Sequence, residues 1–390
     1  MKFVFFANTD WYLYNFRLST AQRLQAEGHE VVMLSPPGEF GVRFAAHGFR
    51  WLVLPMDRAS LNPWREALTL RRLVRLLERE RPDLLHNFTV KCAVYGALAA
   101  RAARVPAVVN AVAGMGYVFT CNRPKARLLR PLVGTLMRIA FDGRRSLLVL
   151  QNPDDAEVFV RSRTVAPGRI RVIRSSGVDT ARFQPPATRL GGAARLRVLL
   201  AARLLWEKGV GEFVEAARLL AAEGREVEFL LAGTPDPGNP RAVAEAQVRQ
   251  WAGEGVVRWL GHVEDMPALL ARVDAMALPS YYCEGVPKCL IEGAACGLAI
   301  ITTGRPGCRE VVAQDGIDGL RVPPRDARAL ADCIARLDDD RELLRRLGCR
   351  ARQKALEEFD ERLVIQRTIE VYEELLKAEA LPGVLARPVL

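Results

Sequence analysis

Ala275-Met276-Ala277-Leu278-Pro279-Ser280 leads through three residues into Glu284-Gly285-Val286-Pro287-Lys288-Cys289-Leu290-Ile291-Glu292, and the whole stretch reads as strand, turn and helix. Gly285 and Pro287 break the preceding strand, and proline suits the first helical position, where the amide it lacks has no partner. Leu290 and Ile291, followed by Gly293-Ala294-Ala295-Cys296, predict a small-residue helix packed closely on a sheet. Glu284 then sits at the strand-to-helix turn, and Glu292 about two turns into the helix. Eight helical positions span roughly 12 Å. That is wider than the roughly 5 to 10 Å between the carboxyl groups of a glycoside hydrolase. The spacing fits an elongated ligand gripped at two points along a helix N-terminus.

The same alternation of strand and helix fills the chain. Strands are predicted at Lys2–Phe6, Glu30–Leu34, Arg50–Leu54, Leu84–His86, Ala107–Val112 and Ser146–Leu150, with helices near Phe16–Glu27, Asn62–Glu80, Val94–Ala103, Ala126–Asp142 and Pro153–Arg161. Such an order predicts a parallel, doubly wound sheet. Turn formers from Gly177-Val178-Asp179 to Gly191-Gly192 mark a linker over 177–194. A second alternation begins at Arg197-Val198-Leu199-Leu200-Ala201-Ala202 and continues through Val227–Gly233. The expected class is α/β: two Rossmann-like, doubly wound domains, 1–176 and 195–361, facing a shared cleft.

Composition narrows the function. The chain has 390 residues, half of them hydrophobic, and a net charge of +11. Residues 1–170 carry net +12 and the remainder net −1. The N-terminal half therefore expects an anionic partner, nucleic acid or an acidic membrane surface. Eight cysteines without CxxC spacing read as reduced thiols, and four scattered histidines offer no metal cluster. No apolar run reaches the length of a membrane span, and Met1–Ala7 reads as a first buried strand instead of a signal peptide.

In Ala202-Arg203-Leu204-Leu205-Trp206-Glu207-Lys208-Gly209, two cations stand at the end of a buried strand, just before a helix. That place suits a diphosphate, with a bidentate fork from arginine and a point charge from lysine. Backbone amides near Gly285 and Val286 add donors. Asp338-Asp339-Asp340 superficially offers an Asp-x-Asp metal site but reads as a solvated cap, and Pro235-Asp236-Pro237-Gly238 as a turn.

Upstream of the two glutamates lies Arg258-Trp259-Leu260-Gly261-His262-Val263-Glu264-Asp265-Met266-Pro267. Downstream lie Gly297-Leu298-Ala299-Ile300-Ile301-Thr302-Thr303 and Gly304-Arg305-Pro306-Gly307-Cys308-Arg309-Glu310. This order of blocks resembles the C-terminal half of the retaining glycosyltransferases of family four, "group 1", with the GT-B fold. The resemblance implies a nucleotide-sugar donor, UDP-linked, held by Arg203 and Lys208 at the diphosphate, Glu292 at the ribose, and Glu284 at the transferred sugar. It also implies a terminal helix, 362–380, crossing back onto the N-terminal domain, and front-face attack assisted by the departing phosphate. No metal or other cofactor is expected.

The N-terminal domain resembles a subgroup that builds lipid-linked oligosaccharides. Asn8-Thr9-Asp10-Trp11-Tyr12-Leu13-Tyr14-Asn15-Phe16-Arg17 is expected to be a ligand-facing loop, lacking the family's usual glycines and offering Arg17 to an acceptor phosphate. His86-Asn87-Phe88-Thr89-Val90-Lys91 has Phe88 where many relatives carry a second histidine. That leaves His86, Thr89 and Lys91 as acceptor or donor contacts. Gly114 and Gly116, in Ala113-Gly114-Met115-Gly116-Tyr117-Val118-Phe119, resemble the subgroup's cleft loop. The implied acceptor is a saccharide on a polyprenyl diphosphate, and the implied place is the inner face of the cytoplasmic membrane.

Arg123, Lys125, Arg127, Arg130 and Arg138, interleaved with leucines and isoleucine, predict a basic amphipathic helix on anionic lipid. The helix over Arg65–Arg81 is better balanced by glutamates and reads as an ordinary surface helix. Two rivals stand beside the transferase. A GT-B-fold sugar-nucleotide epimerase shares the donor cleft. A nucleic-acid-binding protein explains the basic half but lacks any recognised binding motif, so no nucleic-acid partner is expected.

Overall fold

A computed structural model describes residues 1–57, 60, 62–113, 124–143, 145–186, 195–236 and 238–377, with side chains 124–132 excepted. The chain divides into two compact units, one of Met1–Ser176 with the segment from Val364, the other Gly177–Leu363.

The first unit holds a seven-stranded sheet: β1 (Lys2–Phe6), β2 (Glu30–Ser35), β3 (Arg50–Val53), β4 (Leu84–Phe88), β5 (Ala107–Val112), β6 (Ser146–Leu150) and β7 (Ile170–Val172). Their order is β3-β2-β1-β4-β5-β6-β7, and every pairing is parallel. The strands read as near-continuous apolar runs because both faces are covered. One face packs against the C-terminal helix Glu361–Lys377 through Val364, Ile369 and Tyr372, the other against Leu73, Leu77, Ala97 and Phe141.

The second unit repeats the plan with six strands: β8 (Leu196–Ala201), β9 (Val227–Ala232), β10 (Arg258–Gly261), β11 (Ala275–Leu278), β12 (Ala299–Thr303) and β13 (Leu320–Val322). The order β10-β9-β8-β11-β12-β13 is again wholly parallel. In each sheet the order reverses once, between β1 and β4 and between β8 and β11. Loops leaving the two strands at a reversal run to opposite faces, and the crevice between them is where such sheets bind ligands.

Several expectations need correction. The expected loop Asn8–Arg17 is mostly helix, since Asp10–Ala26 is helical with Thr9 as its side-chain cap on the Tyr12 amide. Pro287 is the N-cap and not the first helical residue, so Lys288–Ala295 begins one position later and Glu292 lies in its second turn. Gly285 and Val286 consequently precede the helix. Of the expected linker 177–194, residues 187–194 lie outside the described residues.

Polar side chains cross the first sheet below its ligand edge. Asn87 Nδ2 donates to Asn110 Oδ1 (2.9 Å), and Asn110 Nδ2 donates to Ser146 Oγ (3.1 Å). Asn87 Oδ1 faces Gly96 of the helix Val90–Ala102, where an added Cβ would stand 1.8 Å away. Both groups are buried, so the methyl has no cheap escape. Gly96→Ala is expected to destabilise the protein by about 1–3 kcal/mol in urea denaturation. Gly253→Ala, where the methyl meets nothing within 4 Å, is expected to be neutral or slightly stabilising.

Candidate active site at the strand-order reversal of the second unit

Beyond β8 the chain makes a single turn, Trp206–Lys208, and Gly209 then caps the helix Val210–Ala222 at φ 79°. A Cβ on Gly209 would stand 2.4 Å from the Pro279 carbonyl, so the absence of a side chain lets this loop close on the end of β11. The two loops are joined by backbone: the Tyr281 amide donates to the Glu207 carbonyl (3.0 Å). Ser280 Oγ lies 3.1 Å from the same carbonyl and 2.9 Å from Glu284 Oε1, so its one proton is shared between two acceptors.

That closure brings Lys208 Nζ to 2.5 Å from Glu284 Oε1, with both side chains largely buried. Burial opposes the Lys208 ammonium, but the Glu284 carboxylate beside it raises the lysine above its ordinary value. Glu284 is thus held by a cation and a hydroxyl, two contacts that fix its carboxylate. A further glycine is required on the far side. A Cβ on Gly307, which has φ 81°, would overlap the Gly285 carbonyl at 1.5 Å. The backbone after β12 therefore presses against the Glu284–Gly285 peptide. Thr303 Oγ1 donates to the Ser280 carbonyl (2.6 Å) and ties β12 to the same loop.

Glu292 faces this neighbourhood from the helix Lys288–Ala295. Burial pushes its carboxyl up to about 7, against the opposing charges of Lys288 and Arg182. The Cys289 thiol, itself pushed up to about 12 by burial, feels Lys208, Glu292 and Glu284 together, which places all three charges in one electrostatic neighbourhood.

Arg203 stands apart from Lys208. Its Nη1 donates to Asp236 Oδ2 (2.8 Å) in an exposed pair. The expected diphosphate pair is therefore held by two different carboxylates, Asp236 after β9 and Glu284 after β11. An exposed ion pair of this kind contributes about 0–1 kcal/mol, which a multiply charged diphosphate outcompetes. The Asp236 contact is not legible in the sequence, because a carboxylate in a turn carries no signal of its partner 33 residues away. Ser280, Thr303 and Gly307 lie in the motif blocks but carry no sequence signal of their contacts, and Arg182 lies outside those blocks. Gly307 shows only a local sign, a glycine directly before a helix beside Pro306.

In the first unit the acceptor-side candidates separate. Arg17 and His86 are both buried and line one small cavity at the C-terminal edge of the sheet. Thr89, at the end of β4, has φ 74°, rare for a β-branched residue. Lys91, expected as a ligand contact, is engaged within the protein. Its ammonium already meets the Asp57 and Ser60 carbonyls and Glu66, which matches its three protons. Gly114 and Gly116 lie outside the described residues.

So do Arg123 and the side chains of Lys125, Arg127 and Arg130. Arg138 is exposed but spends its guanidinium on the Ser162 and Arg163 carbonyls, which makes it an anchor between segments. Leu136 and Ile139 nearby are exposed. The helix Pro63–Glu80, expected to be ordinary, displays Trp64 at 85 % exposure and Leu68 one turn on, beside Arg71, Arg72 and Arg75. No helix among the described residues is long and apolar enough to cross a membrane. Asp338, Asp339 and Asp340 are taken up as expected of a cap: the first two pair with Arg225 and Asp340 accepts the Leu343 amide.

Two sequence profiles match the chain, "Glycosyl transferases group 1" over residues 195–340 and "Glycosyl transferase 4-like" over 2–152. A Campylobacter jejuni relative, N,N'-diacetylbacillosaminyl-diphospho-undecaprenol alpha-1,3-N-acetylgalactosaminyltransferase, is 30% identical over 387 residues, covering 97% of this chain and 100% of its own. An Escherichia coli UDP-Gal:alpha-D-GlcNAc-diphosphoundecaprenol alpha-1,3-galactosyltransferase is 26% identical over 281 residues, 70% of each chain. Among solved structures, Anabaena Alr3699/HepE in complex with UDP superposes with a TM-score of 0.75 at 21% identity, over 96% of this chain and 100% of that one.

Glu292 generates a testable consequence. A carboxyl raised above its unfolded value favours folding at low pH, and this contribution is lost as pH climbs toward about 7. Glu292→Gln is therefore expected to gain stability over the wild type between about pH 5 and pH 8, by about 1–3 kcal/mol. Urea denaturation at the two pH values reads it, and a constant difference contradicts the burial argument.

Proposed function

Because the chain belongs to the group 1, family-four glycosyltransferases, we propose that it moves a hexose or N-acetylhexosamine from a UDP-sugar to a saccharide carried on a polyprenyl diphosphate. The observation that carries the reading is the Lys208–Glu284–Ser280 cluster, seated at the strand-order reversal. The two relatives named above, both acting on diphospho-undecaprenol saccharides by their names, support the acceptor class.

In this reading the donor diphosphate displaces Asp236 from Arg203 and draws on Lys208, so that charge developing on the departing nucleotide meets two cations already in place. Glu292 accepts the ribose hydroxyls. Glu284, fixed by Lys208 and Ser280, receives the transferred sugar and holds its orientation. The acceptor hydroxyl attacks the anomeric carbon from the face the phosphate leaves as the anomeric carbon–phosphate oxygen bond breaks, its proton passes to the departing phosphate oxygen, and configuration is retained without a covalent enzyme intermediate. Charge stabilisation comes from side chains, and the reaction proceeds without a metal. The exposed Trp64, Leu68 and their arginine neighbours fit an anionic lipid surface, which supports a peripheral seat on the inner face of the cytoplasmic membrane.

UDP release from a panel of UDP-sugars, in EDTA, with and without a bacterial polyprenyl-diphosphate-saccharide extract, tests the proposal. The expected result is acceptor-dependent release from one donor, reduced by about 100-fold or more in Glu292→Ala as binding and positioning are lost together. Isomerisation of a donor without UDP release would establish the epimerase instead.

A further inference from the structure

The first unit buries a positive charge that no carboxylate among the described residues balances. Arg17, on the helix Asp10–Ala26, is 6 % exposed. Its Nη2 donates to the Tyr12 hydroxyl (3.0 Å), and its guanidinium lies over the Phe88 ring at 4.6 Å. Its Nε, also buried, has no partner. Among the described residues no carboxylate bonds it. Asp10, on the same helix, turns away to the Trp11, Phe40 and Gly41 amides. A guanidinium stays charged at any working pH, and a buried charge without a counter-charge carries a heavy desolvation penalty.

His86 faces the same space. It is 2 % exposed, its Nδ1 lies 2.5 Å from the Tyr372 hydroxyl, and its Nε2 has no partner. Burial, and then the charge of Arg17, hold the imidazole well below its ordinary pKa, so the ring is neutral and carries one proton. Among the described residues the Tyr372 hydroxyl has His86 as its partner. With that hydroxyl donating to Nδ1, the ring proton sits on Nε2.

Arg17 and His86 line a cavity of about 20 Å³ with Gln151, Ser175 and Thr368, and no acid is among its lining residues. Ala113 and Gln151 directly follow β5 and β6, so the cavity lies at the C-terminal edge of the sheet. Its volume admits one oxygen-sized group and excludes a sugar ring.

We propose that this cavity is an oxyanion subsite, in which Arg17 Nε and His86 Nε2–H donate to a terminal phosphate oxygen while Tyr372, a positioning residue, fixes the histidine tautomer. Naming the occupant as the diphosphate of a prenyl-linked acceptor rests on the transferase reading; the subsite itself does not. Two buried donors with no acceptor, one of them cationic, are the complement of a phosphate oxygen.

The test uses the full chain with ¹⁵N-labelled histidine, titrated with inorganic pyrophosphate while saturating UDP occupies the second unit. The His86 resonances, assigned with His86→Gln, are expected to show a protonated Nε2 and to shift on titration. Arg17→Gln should weaken that response about tenfold or more, with Arg17→Lys intermediate because it keeps charge without the fork. Tyr372→Phe should redistribute the tautomer and weaken the response while UDP affinity stays unchanged. A response confined to His29, His47 or His262, or one that persists in Arg17→Gln, overturns the subsite. A folding failure of Arg17→Gln leaves the Arg17→Lys and Tyr372→Phe arms to decide. A short-chain prenyl diphosphate that shifts His86 at lower concentration than pyrophosphate supports the acceptor as occupant, and equal potency overturns that naming. Because none of these arms requires turnover, a failed transfer assay leaves their outcome readable.

Discussion

The contact between Lys208 and Glu284 organises the second unit's ligand edge. Strand order reverses between β8 and β11, so the chain leaves these two neighbours toward opposite faces and opens a crevice. The pair bridges that crevice at 2.5 Å, and the Tyr281–Glu207 backbone bond closes it beneath. A buried ion pair is a weak source of stability, since desolvating both charges offsets most of their attraction. Its consequence here is positional. Gly209 and Gly307 are the backbone conditions for it, since a methyl at either position would strike a carbonyl of the adjoining loop.

The first unit meets the same topological situation with a different charge arrangement. Its reversal, between β1 and β4, is also lined by a cation, but Arg17 is set against Phe88 and Tyr12 where Lys208 is set against a carboxylate. The difference has a chemical meaning. A lysine already paired with Glu284 yields to a ligand only by exchanging one anion for another, so its affinity is a difference between two interactions. An arginine over aromatic faces breaks no ion pair when an anion arrives. The surplus of positive charge in residues 1–170 extends the same bias to the surface.

What the sequence disclosed follows from this division between backbone and side chain. β1, β5 and β6 fall at Lys2–Phe6, Ala107–Val112 and Ser146–Leu150, where the apolar runs placed them, because parallel strands covered on both faces leave an unbroken hydrophobic record. The two glutamates, the two cations and their order were legible for a related reason: short segments fix which residues stand at a strand's end. Partners were not legible. Tyr372 reaches His86 across 286 positions and Asp236 reaches Arg203 across 33. The three acceptors around Lys91 are equally silent in its local sequence. The helix start at Asp10 has a local sign, Thr9 as an ordinary N-cap residue, but the aromatic run after it reads equally as a ligand loop.

The two glutamates differ in a way their spacing could not express. Glu284 is bonded to an ammonium and a hydroxyl, both at Oε1, and these contacts fix its orientation. Glu292 lies where burial dominates, and its carboxyl titrates near neutrality. A glycoside hydrolase needs the reverse economy, one carboxylate free to attack or activate water and a partner poised to donate a proton across a short gap. Here the carboxylate nearest the reversal is held by a lysine, and the other lies in the second turn of the helix that follows. In the proposed reaction such a cluster would hold a charged, elongated ligand in register and contribute position and electrostatic field.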